Sequence, residues 1–193
     1  MSAHVRLRTY DNSWYTPGRS FLWQVLWLFF GLPLFRTPWL PFSGLRVALL
    51  RAFGAKIGTG VVIHSEVSVK YPWHLRVGDD CWVGERVWID NLTTVQLGSD
   101  VCLSQDCYIC TGNHNWSDPA FELIVQGVEL GNASWAAARS VLLPGVVLGE
   151  GAIAGAGSVI TRSVPPWEIH TGNPAAFVRR RDIQSKADAR INK

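Results

Sequence analysis

The feature that most constrains this chain is a six-residue period of aliphatic side chains between Ile57 and Val164. It runs through Ile57, Ile63, Val69 and Leu75, skips two residues to Val77, Val83, Ile89 and Val95, and skips two more to Leu97, Leu103 and Ile109. After a break it resumes at Leu130, Ala136, Leu142, Leu148, Ala154 and Ile160. The residue four places on is mostly small or β-branched, from Val61 and Val67 through Cys81 and Cys107 to Ser158 and Val164. Glycine often follows the marked position directly, as at Gly58, Gly84, Gly98, Gly131, Gly149 and Gly155. A period of six is neither helical nor a plain strand alternation. It predicts short strands with a turn every sixth residue, three of them closing a triangular coil, and coils stacking in parallel around one core. The glycines are expected at corners, where they tolerate positive φ. An irregular sandwich is the alternative, but chance would not hold the register this long.

With 193 residues the chain is read as one domain with end segments: 1–54 an apolar, helical segment and cap, 55–166 the coil with an excursion at 111–129, and 167–193 a tail. Hydrophobic content of 48% against 17% charged residues fits a chain that hides surface in an oligomer or against a membrane. A net charge of +3, with no long basic run among RNA-binding aromatics, argues against nucleic acid as a partner. Of the four cysteines, Cys81 and Cys107 occupy the small slot of the coil. Cys107 and Cys110 have the spacing of a metal or redox pair, but no second pair completes a zinc site. Core packing and a reducing cytoplasm are the expected context.

Residues 1 to 20 are polar and mixed, and the most apolar run follows, Phe21 to Phe35. It falls short of the ~20 residues that span a bilayer. Pro33, Pro38 and Pro41 punctuate it and no small-residue cleavage site is evident, so a signal peptide is not expected. Trp23, Trp27 and Trp39, flanked by Arg19 and Arg36, suit either a helix lying in the headgroup region or one packed on the coils or a neighbouring subunit. Residues 43 to 54 read as a short amphipathic helix with Ser43 as N-cap and Gly54 as its stop, sealing the first coil. The register break at 111–129 is long for a tight solenoid, and such excursions are usually functional. Pro165 and Pro166 end the rhythm, and a short helix is expected from Asp182.

The coil resembles the hexapeptide-repeat acyltransferases, which fold as left-handed parallel β-helices and work as trimers. The handedness comes from that resemblance, because the general rule for parallel crossovers gives the right-handed form. His114 lies in the excursion within Thr111-Gly112-Asn113-His114. A neutral imidazole is well matched to take a proton from a hydroxyl, although a lone loop histidine is ordinarily just solvated. Sugar and serine acetyltransferases of this family carry a histidine after such a Thr-Gly pair and use it as general base, so the resemblance implies that role for His114. The implied mechanism is direct transfer from acetyl-CoA without an acyl-enzyme, with positioned N–H donors stabilising the oxyanion. The longer phrases Tyr71-Pro72-Trp73, Trp88-Ile89-Asp90-Asn91-Leu92 and Thr111 to Phe121 are more specific. With Asp11-Asn12-Ser13-Trp14 and Pro41 to Leu45, they resemble the colanic-acid-type exopolysaccharide acetyltransferases, the WcaF-like group, over nearly the whole chain.

The resemblance also implies a substrate side and a coenzyme side. Family members place an asparagine of the neighbouring coil beside the acceptor sugar, a role open to Asn91 or Asp90, though Asp-Asn is equally a favoured corner pair. Trp116 could stack on a sugar or anchor the loop, and Asp118 could orient His114 or only start the Asp-Pro turn. Ala138 and Ala156 fall in stretches that line the family's pantetheine groove between subunits, while Thr161 and Arg162 fall where a Thr-Lys pair of the family commonly meets the coenzyme. Arg179 and Arg180 could hold nucleotide phosphates. No metal is implied. A γ-type carbonic anhydrase would need three histidines on zinc, and position 119 is Pro119. A non-catalytic scaffold at the membrane would need no histidine in the register break. The implied activity is O-acetylation of a sugar hydroxyl on an exopolysaccharide or lipid-linked saccharide precursor, with acetyl-CoA as donor. The protein would be cytoplasmic, and a lipid-linked acceptor would give segment 21–35 a peripheral seat on the inner face of the cell membrane.

Overall fold

The marked aliphatic residues line the inside of a three-faced parallel coil. The computed structural model describes residues 4–40 and 42–183. The first face stacks Lys56–Ile57, Leu75–Val77, Val95–Leu97, Val128–Leu130 and Val147–Leu148. The second stacks Val62–Ile63, Trp82–Val83, Cys102–Leu103, Trp135–Ala136, Ile153–Ala154 and Glu168–Gly172. The third stacks Ser68–Val69, Trp88–Asp90, Tyr108–Cys110, Val141–Leu142 and Val159–Ile160. The two-residue skips fall within the first-face strands Leu75–Val77 and Val95–Leu97, which bury both marked residues and leave the register intact, so that Val77, Leu97, Leu130 and Leu148 form one inward column. Every marked residue is buried except Ile57, which closes the bottom coil, and every small partner named above is buried as well. Fully burying an Ile, Leu or Val side chain contributes about 1.5–3 kcal/mol, so the columns account for the continuous core.

The glycines serve a different purpose from the one the sequence suggests. None of those directly after a marked position has positive φ. They sit where successive coils nearly touch: a Cβ on Gly84 would lie 2.9 Å from the Gln105 nitrogen, one on Gly131 2.7 Å from the Glu150 nitrogen, and one on Gly149 2.6 Å from the Pro166 nitrogen. The left-handed residue comes two places later and is filled by Glu66, Asp80, Arg86, Asp100, Asp106, Ala133 and Arg139 as readily as by Gly60, Gly145, Gly151 and Gly157. Glycine is selected here by interstrand clearance, and the strained corner is held by the packed coils around it.

The outward rows separate the faces chemically. Lys56, Arg76, Gln96, Glu129 and Val147 register along the first face. Val62, Trp82, Cys102, Trp135, Ile153 and Ile169 register along the second, and Ser68, Trp88, Tyr108, Val141 and Val159 along the third. One face is polar and two are apolar, with the apolar pair meeting at a shared corner.

The apolar segment is helical through Phe21–Leu26, a π turn at Trp27–Gly31 and Leu32–Arg36, started by Ser20, whose hydroxyl accepts from the Trp23 amide. Trp27, Gly31 and Phe35, spaced by four, are its buried residues. An α-helix drifts at that spacing, and the wider π turn brings the stripe back toward the coil. Trp27 donates its indole N–H to the Val69 carbonyl at 3.0 Å. The next helix, Ser43–Ala52, buries Val47 and Leu50 and ends in Phe53 and Gly54, the latter at φ +97°. Ser43 is its first turn and not its N-cap, which is Phe42; the Ser43 hydroxyl instead accepts from the Ile63 amide at 2.7 Å and ties the cap to the first coil.

At the other end the chain forms an antiparallel pair, Glu168–Gly172 with Ala175–Arg180, in place of a loose tail. Arg181 donates to the Ala133 and Gly151 carbonyls at 2.7 and 3.0 Å, which makes it a clasp on the second face. The helix expected from Asp182 lies, beyond Ile183, outside the described residues. The four cysteines are free thiols, and complete burial pushes Cys107 up to about 12.

Candidate active site

The excursion is a hairpin standing on the corner between the third and first faces. Its base is Thr111, fully buried, whose hydroxyl accepts from the Thr93 amide at 3.3 Å and whose amide donates to the Asp90 carbonyl at 3.2 Å. From there Gly112–His114 pairs antiparallel with Leu123–Val125, His114 opposite Leu123. The tip turns through Asn115–Asp118, where the Phe121 amide donates to the Asp118 carbonyl at 2.9 Å and the Asp118 carboxylate accepts from the Ala120 amide at 2.9 Å. Asp118 therefore shapes the turn, and the group that orients His114 is Phe121.

Phe121 has φ +54°, a costly conformation for an aromatic residue, and this turns its carbonyl onto His114 Nδ1 at 2.9 Å. A carbonyl can only accept, so Nδ1 carries the proton and Nε2 of the neutral ring keeps its lone pair. The Phe121 ring stacks on the imidazole with centroids 4.3 Å apart and planes 7° from parallel, and Tyr10 meets it edge-on at 5.5 Å. His114 is half-buried and held by the Phe121 carbonyl, the Phe121 ring and Tyr10, an arrangement in which Nε2 can accept a proton.

Tyr10 belongs to a strap that the sequence did not assign to the site. The Arg6 amide donates to the Pro119 carbonyl at 2.9 Å, the Tyr15 hydroxyl to the Leu92 carbonyl at 2.7 Å, and the Trp73 indole to the Pro17 carbonyl at 2.6 Å. The strap thus descends the corner from the hairpin on the third coil to the first. His74 Nε2 also donates to the Pro17 carbonyl at 2.9 Å, and burial lowers its pKa. The only hint in the sequence was the phrase Asp11 to Trp14.

The remaining expected residues divide. Asn91 is completely buried: its amide oxygen accepts from the Tyr71 N–H at 2.9 Å and its amide nitrogen donates to the Tyr71 carbonyl at 2.8 Å. Both ends of the side chain are committed to the coil below. Asp90 pairs with Lys70 at 2.9 Å and accepts from the Tyr108 hydroxyl at 3.3 Å. It borders a cavity of about 370 Å³ between the third face and the apolar helix, lined also by Phe21, Val25, Leu28 and Trp88. Trp116 is 80% exposed at the hairpin tip.

Thr161 and Arg162 are exposed on the same corner as His114, in the last coil. Ala138 and Ala156 lie on another corner, between the second and third faces, where the Gly157 amide donates to the Ala138 carbonyl at 2.9 Å. Arg179 and Arg180 are exposed on the closing strand of the second face. A single copy of the chain does not bring the Ala138–Ala156 corner together with His114. Among the described residues, no group of three or more His, Cys, Asp or Glu side chains is placed to hold a metal ion.

No protein-family profile matches the chain. Escherichia coli WcaF, whose name assigns it to acetyl transfer in colanic acid biosynthesis, is 39% identical over 136 residues, covering 70% of this chain and 75% of the relative. The galactoside O-acetyltransferase of E. coli is 24% identical over 73% of this chain and 71% of its own. Among solved structures, a galactoside acetyltransferase in complex with coenzyme A superposes with a TM-score of 0.71 at 21% identity, covering 79% of this chain and 78% of that one. A hexapeptide-repeat acetyltransferase of Vibrio cholerae complexed with acetyl coenzyme A gives 0.71 at 19% identity over 84% and 85%. The coil register, the hairpin that carries His114 and the extent of the match to WcaF lead to one assignment: the chain belongs to the WcaF-like hexapeptide-repeat acetyltransferases, with their left-handed parallel β-helix.

Proposed function

We propose that this protein transfers an acetyl group from acetyl-CoA to a hydroxyl of a saccharide, an exopolysaccharide or its lipid-linked precursor, with His114 as general base. The observation that carries the reading is the Phe121 carbonyl on His114 Nδ1, which leaves Nε2 free to accept a proton. Nε2 takes the hydroxyl proton as the oxygen bonds to the thioester carbonyl carbon. The tetrahedral intermediate collapses with cleavage of the C–S bond, and the imidazolium returns the proton to the CoA sulfur. The donor is supported by the coenzyme A and acetyl coenzyme A held by structural neighbours, and the acceptor by the names of WcaF and the galactoside enzyme.

The working unit in this reading is a homotrimer. The apolar rows of the second and third faces flank the corner that carries Ala138 and Ala156, and pairing that corner with the His114 corner of a second copy completes the site. Small side chains there let pantetheine approach the backbone, while Thr161, Arg162, Arg179 and Arg180 are exposed for the phosphates. Asp90 and Trp116 remain the acceptor-side candidates.

The test is thiol release from acetyl-CoA with nucleotide sugars and lipid-linked saccharides as acceptors, for wild type and His114→Asn. Acceptor-dependent release that disappears in the variant is the expected result; release undiminished in the variant overturns the role of His114, and a wild type that does not bind CoA overturns the activity.

A further inference from the structure

We propose that the outer side of helical segment 21–36 is a docking surface for an anionic phospholipid bilayer. The helix buries its Trp27, Gly31 and Phe35 stripe, turns Phe21 and Leu28 to the rim of the cavity against the third face, and leaves Leu22, Phe29, Phe30 and Leu34 in solvent on its outer side. Phe29 and Phe30 are 65% and 68% exposed, and Trp39 just beyond the helix is 89% exposed. Moving such side chains into an acyl boundary removes their apolar surface from water, which is the gain an interfacial helix depends on. No helix of the described residues is long and apolar enough to cross a membrane; the docking proposed is along a bilayer surface.

The occupant is chosen by charge. Residues 1–56 hold Arg6, Arg8, Arg19, Arg36, Arg46, Arg51 and Lys56 against Asp11 alone, so the rest of the chain is net negative although the whole carries +3. Arg6, Arg8, Arg19, Arg36 and Lys56 are exposed, and none forms a salt bridge among the described residues. A second copy docked through the same segment would bring its own Arg19 and Arg36 to the contact and repel it. A leaflet of anionic headgroups would meet the aromatic side chains together with Arg19 and Arg36, the exposed cations that flank the segment. The strap links this helix to the hairpin, two coils higher, or about 10 Å along the axis at the spacing of stacked strands. A saccharide carried on a membrane lipid would thereby be presented close to His114. The docking inference is independent of the proposed transfer reaction, because its readout is membrane binding.

The full chain would be floated with vesicles of phosphatidylcholine alone and of equal phosphatidylcholine and phosphatidylglycerol, in low and high salt. The expected result is flotation with the phosphatidylglycerol vesicles, weakened by salt. It should fall at least tenfold in Phe29→Ser/Phe30→Ser and lose its phosphatidylglycerol preference in Arg19→Glu/Arg36→Glu. Both pairs are at the surface, and a thermal unfolding transition matching wild type establishes that each variant is folded; if one pair fails that check, the other still decides. Wild type that floats with neither vesicle overturns the proposal, as do folded variants that float like wild type. A Phe29→Ser/Phe30→Ser variant that floats normally but changes oligomeric state overturns it in favour of a contact between copies.

Discussion

Phe121 holds His114 in two ways at once: its carbonyl accepts a hydrogen bond from Nδ1–H at 2.9 Å, and its ring lies parallel to the imidazole at 4.3 Å. The first contact selects the tautomer, and the second fixes the ring plane. Both depend on a left-handed Phe121, which the Asp118 turn imposes.

His114→Asn should fold as wild type, since an amide N–H can still donate to the Phe121 carbonyl, yet lose ~10² to 10⁴ in transfer rate because no base remains. Phe121→Ala keeps the carbonyl and should lower kcat less than His114→Asn does. Thiol-release kinetics on both, beside thermal unfolding, would check the ordering.

Replacing Asn91 should damage stability more than substrate affinity. Asn91→Ala leaves the buried Tyr71 N–H and carbonyl without partners and should cost about 2–4 kcal/mol in urea unfolding. An unchanged midpoint with a raised acceptor KM would return Asn91 to the substrate side.

The two corner positions should respond oppositely to substitution. Gly78→Ala drives a methyl to within 2.6 Å of the Gly98 carbonyl carbon and should destabilise by about 1–3 kcal/mol. Ala133→Gly, at φ +56°, relieves a left-handed alanine and should be neutral or stabilising by up to about 1 kcal/mol. Denaturant midpoints of the two variants measure the contrast.

Burial lowers the pKa of His74 below its ordinary 6.5. Below that pH the unfolded chain binds a proton that the folded chain resists, so stability should fall as pH drops from about 6.5 toward the folded-state value and be unaffected above it. His74→Gln, whose amide can replace the donor to Pro17, should flatten that part of the curve, as read from urea midpoints between pH 5 and 8.

Cys107, whose thiol is pushed up to about 12 in a fully closed coil, should resist iodoacetamide in the native protein and label on denaturation. Native labelling at Cys107 at the rate of a free thiol would contradict the packed core.

The sequence alone determined the coil, its three faces and the place of its interruption, because a six-residue aliphatic period can bury its marked side chains only by turning every sixth residue. His114 stood out only through the resemblance to a family that carries a histidine after such a Thr-Gly pair, because a lone loop histidine is by itself ordinarily just solvated. Tertiary structure decided what that pattern leaves open. The glycines answer to the coil above them, a distance that no local signal encodes. Asn91 and Asp90 are neighbours in sequence, and only the stacking turns one into the core and the other onto a cavity. Phe121 and Tyr10 reach His114 through a turn and through a strap from more than a hundred residues away. The corners carrying His114 and Ala138 belong to different edges of the triangle, because three short strands per coil send residues a few places apart to different faces.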